Sequence, residues 1–558
     1  MLAARAGRVH AALIGEHAVT SAQVEHALAE CREEVGWESL TRFPGSYYVA
    51  VATPTGRYLI GDIAGIRPVF AAHVASHALL GSHVRILAEA AGNTALDPQS
   101  LALQLIGPAT PTALLASAAP GTSLYGSVRS IPPGHAAQVD RNGVLHTARY
   151  WEAPDDDVPA EVGARALRGA LRGAVAARDR HAVELSGGLD STSLSFLAYE
   201  RIGSSLVNLT REPADPGNDD LHWARLAVSA QPGVQHRVLS LRETPEQFDG
   251  ISRPLALDAP GPTALSPDRS AHLWRQVLSA GARTLLSGKG GDELLCPPLS
   301  YLATAATRSR RTARRQLRGW AALHGWTRAA TAAAAAHPGP YRVWLAGCLD
   351  HPGKPGWDAG PWLPPWLSSS TRRYLRGALE QAAVSAEPLH DRPHQHATLA
   401  AVRAMASLCR LQGDAAASAG VTMAYPYADR TVIDAALSVR AEDRYGPFDP
   451  KPLLTAAVAG IGAAASMSRR TKAGYSADTA RAAARHHALL KNLLTHESAL
   501  ADHGLINPTL IRPTAAAWQR ADPTTDLLLH LTLAAEVWVR TAENRPPTPA
   551  PDPPEASC

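Results

Sequence analysis

Two kinds of hydrophobic patterning divide the chain. Up to about position 150 the apolar residues come in short strand-like runs. Positions 47–52 and 57–60 flank the turn Pro54-Thr55-Gly56, and 136–139 and 144–150 flank Asp140-Arg141-Asn142-Gly143. Runs bounded by such residues predict hairpins, so this region reads as β-rich. The turn-rich acidic stretch 152–159 predicts a linker and a domain boundary. Beyond it, Val162, Leu167, Leu171 and Val175 recur at near-helical spacing, predicting an amphipathic helix. A strand at 181–185, a glycine turn, a helix at 191–201 and a strand at 206–209 follow. That order predicts a parallel α/β sheet. A further strand at 284–286 runs into a second glycine-rich turn, and from about 300 the pattern is mostly helical. Residues 332–336 are a small alanine patch, and the proline-rich tail 546–558 is expected to be disordered.

Composition narrows the class. A chain of 558 residues is expected to hold two or more domains, and 46% apolar with 19% charged residues is a globular composition. The formal charge of +4 is too small to imply nucleic acid by itself. Cys31, Cys296, Cys348, Cys409 and Cys558 lack CxxC spacing, so neither a zinc site nor a disulfide framework is expected. No apolar run approaches the roughly 20 residues of a membrane helix. The first 13 residues do not resemble a secretory signal. A soluble cytoplasmic protein is the expectation. The 23 histidines show no metal-ligand spacing, and Trp320, Trp326 and Trp344 are expected to pack between helices. Only Lys289, Lys354, Lys451, Lys472 and Lys491 are lysines in a chain otherwise rich in arginine. Each is therefore a candidate for a specific role.

The chemistry concentrates in two glycine turns. Ser186-Gly187-Gly188-Leu189-Asp190-Ser191 lies between a predicted strand and helix. Glycines allow a sharp turn whose successive N–H groups face one anion, and the helix N-terminus adds partial positive charge. The serine hydroxyls suit phosphate oxygens, and Asp190 suits a Mg2+ bridging them. GxxxxGK[ST] is absent, so this is not a Walker A loop. An ordinary turn with a serine N-cap would use the same residues, but the strand–loop–helix context favours phosphate. The second turn, Ser287-Gly288-Lys289-Gly290-Gly291-Asp292-Glu293, also follows a strand, and ligands of parallel sheets sit outside the carboxyl ends of strands. Two such loops, with Asp190 and Asp292 sharing a metal, suit one triphosphate.

SGGLDS followed about 100 residues later by SGxGxDE resembles the synthetase domain of asparagine synthetase and its relatives. Ile131-Pro132-Pro133-Gly134-His135 with Arg149-Tyr150-Trp151, and Gly61-Asp62 with Gly65, resemble parts of the family's glutaminase domain. Tyr425-Pro426-Tyr427-Ala428-Asp429 is similar to its PFLD segment, and Arg470-Thr471-Lys472 to the stretch carrying its catalytic lysine. The resemblance implies an α/β fold: an N-terminal Ntn-hydrolase-like, glutaminase-type β-rich lobe (1–151), the linker 152–159, and a C-terminal α/β PP-loop ATP pyrophosphatase domain with a helical extension (160–542). A tail, 543–558, ends the chain. It also implies ATP and Mg2+ as cofactors. Ser186, Gly187, Gly188, Asp190, Ser191, Ser287 and Gly288 would hold ATP and pyrophosphate, Asp190 and Asp292 the metal, and Lys472 and Lys451 would be catalytic. Lys451 is equally open to a structural reading.

Three departures redirect the substrate. Leu2 stands where glutamine-dependent relatives carry a nucleophilic cysteine, so glutaminase chemistry is not expected. Positions 411–418 and 421–426 are largely neutral where asparagine synthetases are charged, which suits a different or larger acid. Lys289 replaces the glutamate of SGEGxDE. ATP activation without ammonia supply or aspartate recognition resembles lasso peptide cyclases, with β-lactam synthetases or another small-molecule amide ligase as the alternative. The partners so implied are a precursor peptide, a leader-peptide-binding protein and a leader peptidase, with no nucleic acid and no membrane. An RNA-modifying ATP pyrophosphatase is a competing class. The basic run Arg308, Arg310, Arg311, Arg314, Arg315 and Arg318 reads first as a solvated helix face, and second as a contact for an acidic peptide, a partner protein or RNA.

Overall fold

The computed structural model describes residues 1–31, 36–106, 121, 123–179, 181–352, 356–358, 360–471, 474–495, 498–511 and 523–544. The first lobe is built from two antiparallel sheets. One has the order β1-β2-β3-β4-β8-β9, with β1 (Leu2–Ala6), β2 (Val9–His17), β3 (Gly45–Ala52), β4 (Gly56–Ile60), β8 (His135–Asp140) and β9 (Leu145–Arg149). The other has the order β6-β5-β7, from β5 (Val69–Val74), β6 (His77–Gly81) and β7 (Val128–Ile131). The predicted hairpins are β3–β4 and β8–β9, each antiparallel across its expected turn. Alternation along β3 decides the layers: Tyr47, Val49 and Val51 pack with Leu13, Leu40 and Ile60, while Tyr48 and Leu59 face Val69, Ala71 and Ile131 of the second sheet.

The second lobe is a parallel five-stranded sheet, β12-β11-β10-β13-β14, from β10 (His181–Glu184), β11 (Val207–Arg211), β12 (Gln235–Leu239), β13 (Thr284–Leu286) and β14 (Thr422–Ala424). The chain is thus mixed α/β. Helix α1 (Ala160–Ala176) buries Leu167, Leu171 and Val175, as its spacing predicts. Val162, assigned to the same face, is 47% exposed because it lies in the first turn, outside the packed stripe. Helix α2 (Leu189–Ile202) begins two residues before the predicted start, and α3 (Asp220–Ser229) follows β11. β14 lies inside the region read as helical: three residues are too few for a periodic signal, and only its pairing with β13 makes it a strand. No described helix is long and apolar enough to cross a membrane.

Ion pairs in dry surroundings join the lobes. Arg178, just beyond α1, forks onto Asp429 at 2.6 and 2.7 Å and also reaches Glu16 of β2 at 3.3 Å. Its side chain is fully buried. In the linker, the Asp156 carboxylate takes hydrogen bonds from His394, Arg392, Arg308 and the Ala441 N–H. Burial opposes its charge, yet His394 and Arg392 hold it well below the usual carboxylate range. Arg308 therefore does not belong to the exposed basic run: it is bound to Glu442 and Asp156. The long helix α5 (Pro393–Ser418) bridges the lobes, with Arg403 donating to the carbonyls of Ile63 and Pro133.

Removing one partner of a buried pair strands the other charge. Arg178→Met is expected to cost about 3–5 kcal/mol in urea unfolding, and Arg178→Met with Asp429→Leu and Glu16→Met to recover most of it.

Candidate active site

The order β12-β11-β10-β13-β14 places a topological switch between β10 and β13, because the chain winds to one side after β10 and to the other from β13. A crevice opens at such a point, beyond the carboxyl ends of the two strands. Both glycine turns are there.

The first turn is held by its own serines. Ser186 Oγ and Ser191 Oγ are 3.1 Å apart, Ser191 Oγ also accepts from the Ser186 N–H at 3.2 Å, and the Gly188 N–H points at Ser186 Oγ at 3.4 Å. Gly187 has φ +72°, and a Cβ there would lie 2.6 Å from the Ala224 nitrogen of α3. Only glycine fits that contact. Because α2 begins at Leu189, Asp190 lies inside its first turn and Ser191 is not its cap. The second turn presses on the first: a Cβ on Gly288 would stand 2.9 Å from the Ser191 nitrogen. Ser287 Oγ donates to Glu184 at 2.9 Å.

Lys451 closes the crevice. Its ammonium donates to Asp190 Oδ1 and Oδ2 at 2.6 and 2.5 Å and sits 2.7 Å from Asp292 Oδ1. Burial by itself would lower the lysine pKa. Asp190, with Cys296 and Asp292, overrides this and raises it, so the group is a cation. The backbone of Lys451 is left-handed, with φ +56°, a conformation that costs a non-glycine residue roughly 1–2 kcal/mol. Of the two predicted catalytic lysines, Lys451 is therefore brought to both carboxylates. Lys472 lies outside the described residues.

Residues from later segments complete the frame. Buried Arg469 donates to the Ser186 carbonyl at 3.1 Å, to Asp219 at 2.5 Å and to Asp220 at 2.7 Å. Thr471 and Tyr475 hydroxyls donate to the same two carboxylates. This latch fastens the first turn to the start of α3. In the sequence, its traces are the Asp219-Asp220 pair and Thr471 of the Arg470-Thr471-Lys472 stretch, with nothing to mark Arg469. Tyr427, wholly buried, donates to the Asp190 carbonyl at 3.1 Å. Lys289 points elsewhere: it donates to Gln412 Oε1 at 2.6 Å, which the Tyr425 hydroxyl also meets at 3.2 Å.

A family model described as asparagine synthase matches residues 164–540. This chain belongs to the asparagine synthase family. Family membership supports an ATP-dependent ligase that forms amide bonds. No curated protein matches the chain. Among solved structures, it is similar to the allosteric regulatory enzyme of purine biosynthesis, at 11% identity over 51% of this chain and 71% of that one, with a TM-score of 0.20. It is also similar to glutamine phosphoribosylpyrophosphate amidotransferase from B. subtilis, complexed with ADP and GMP, at 9% identity over 52% and 62%, with a TM-score of 0.19. Likeness at those scores carries no argument here.

This asparagine synthase family member has a second cavity, of about 360 Å³, between the lobes. Asp62, Arg67, His135, Arg403 and Arg410 line it, and neither glycine turn does. Burial pushes the Asp62 carboxyl up to about 6, although the N–H groups of Gly65 and Arg67 pull the other way.

Two outcomes follow from these geometries. Lys451→Met leaves Asp190 and Asp292 facing one another. Since Asp292 is half-exposed, the loss in denaturant unfolding is expected at about 2–3 kcal/mol, the lower end for a broken buried pair. Asp62 has a raised folded pKa, so stability present below its usual carboxylate value is lost as pH rises through about 6. Asp62→Asn should unfold like the wild type at pH 4 and be more stable by up to about 3 kcal/mol at pH 7.5.

Proposed function

We propose that this chain forms an amide bond within a ribosomal precursor peptide, as lasso peptide cyclases do. An Asp or Glu side chain of the peptide is adenylated, and the peptide's N-terminal amine then closes a macrolactam. The observation carrying this reading is the convergence of Asp190 and Asp292 on one buried ammonium at the switch point, directly beside the Ser186–Ser191 turn. On this reading the second lobe is a PP-loop pyrophosphatase domain and the first a retained glutaminase-type lobe.

The steps are these. A carboxylate oxygen of the peptide attacks the α-phosphorus of ATP, and the bond to the bridging oxygen breaks, releasing pyrophosphate. Ser186, Gly187, Gly188 and Ser191 receive that pyrophosphate, exchanging the hydrogen bonds they now make with one another for bonds to its oxygens. Backbone at Ser287 and Gly288 contacts the nucleotide. Lys451, and on the family resemblance Lys472, would offset the charge that develops. The amine then attacks the acyl carbon, the bond to AMP breaks, and the amine loses a proton. The neighbourhood must stay dry, because water would hydrolyse the acyl-adenylate.

Mg2+ fits the donor set. Two carboxylates already share one cation, and Mg2+ sites of this chemistry use one or two carboxylates with substrate phosphates. Among the described residues no group of three or more His, Cys, Asp or Glu side chains is placed to hold a metal alone, in keeping with ligands supplied by phosphate. Asp190 and Asp292 would hold the ion, which would neutralise and orient the triphosphate.

A chain-borne carboxylate is favoured over a free amino acid by the acceptor side. Arg410, the cation just before the neutral stretch 411–418, is already engaged by Asp258 at 3.1 Å and Asp414 at 3.3 Å. Two carboxylates thus already offset its charge, which disfavours it as the partner of an α-carboxylate. A leader-peptide-binding protein and a leader peptidase belong to the same proposal.

The test is mass spectrometry of a precursor core peptide incubated with the protein, ATP and Mg2+. Loss of one water, dependent on ATP and absent with Asp190→Ala, is expected. A peptide left unchanged while a small β-amino acid is cyclised would favour the β-lactam alternative.

A further inference from the structure

The exposed arginines of helix α4 (Arg310–His324) form a stripe. Arg311, Arg314, Arg315 and Arg318 stand at i, i+3, i+4 and i+7, and all four are exposed. The helix carries no acidic residue, and Arg310 and Arg311 occupy its first turn, where the macrodipole disfavours cations. Like charges three and four apart on one face repel. Glu442 and Asp156, close to its start, are taken by Arg308. Among the described residues none of the stripe's arginines has an ion-pair partner. Such a stripe strains its own helix until an anion arrives.

The stripe also leads to the crevice. The Arg315 guanidinium lies 4.9 Å from the centroid of the Phe448 ring, which is 48% exposed. Gly319 is so close to this segment that a Cβ would fall 2.7 Å from Phe448 Cζ. The Phe448 carbonyl accepts from Arg470 at 3.0 Å. Three residues further on is Lys451, bound to Asp190 and Asp292.

We propose that this stripe, with Phe448 at its inner end, is a docking track for an acidic segment of the peptide substrate, whose neighbouring apolar side chain sits on Phe448. The proposal rests on the peptide reading of the site. A polypeptide is favoured over nucleic acid because the track is short, about 10 Å from Arg311 to Arg318. The positive charge is also local, in a chain of formal charge +4, and the track ends where a carboxylate is to be activated. Seated there, the acidic segment places its own chain at the crevice and raises its local concentration.

The test compares the whole chain with its Arg311→Gln/Arg314→Gln/Arg315→Gln/Arg318→Gln variant, using fluorescein-labelled octaglutamate and labelled single-stranded octathymidylate. Octaglutamate should bind the wild type, weaken steeply with salt, and bind the variant roughly tenfold or more weakly. The thermal shift caused by Mg·ATP should be the same in both proteins. No octaglutamate binding by the wild type, equal binding by the two, or tighter binding of octathymidylate by the wild type overturns the proposal. Cyclisation of an acidic precursor separates the two readings. A raised KM with unchanged kcat in the variant supports the track, and an unchanged KM overturns it while leaving the function intact. A precursor that the wild type never dehydrates, with octaglutamate binding still lost in the variant, overturns the function and leaves the acidic-peptide site standing.

Discussion

Two carboxylates cannot be kept together in a sheltered crevice without a cation between them, and the second lobe is arranged around the ammonium that does this. Lys451 accepts a left-handed backbone to bring its side chain onto Asp190 and Asp292. Around that contact, Gly288 and Gly291 have no side chain because the first turn occupies the space a Cβ would need. Tyr427 and Arg469, from two segments late in the chain, fix the carbonyls of Asp190 and Ser186.

The same economy of charge recurs at the lobe boundary. Arg178, Asp429 and Glu16 come from three distant segments and meet out of water, while Asp156 gathers three cationic or polar side chains onto the linker. Each cluster is worth little as a net gain in stability but costly to leave half-made. Such contacts specify one relative placement of the lobes. Asp429 also belongs to the segment following β14, whose Tyr427 touches the first turn, so the lobe boundary and the crevice share a strand end.

Charge that is not so matched stands out against this background. Arg308 and Arg315 belong to one run in the sequence, yet the first is consumed by Glu442 and Asp156 and the second faces solvent beside Phe448. Residue type alone assigned both to a solvated face. Burial and pairing separate a structural arginine from an available one.

The sequence by itself determined the parts that depend on short-range order. Hairpins around Pro54-Thr55-Gly56 and Asp140–Gly143 follow from turn chemistry, α1 from its helical repeat, and the two glycine turns from residues that few other conformations would use. It also marked Lys451 as unusual and the two aspartates as sharing one cation, but not Lys451 as their partner. That pairing, the strand β14, and the latch of Arg469 on Asp219 and Asp220 were decided only by the tertiary structure. Each joins residues far apart along the chain, and a contact of that kind leaves no periodicity in either segment. Whether a charge is a bond or an open hand depends on the neighbour that folding supplies.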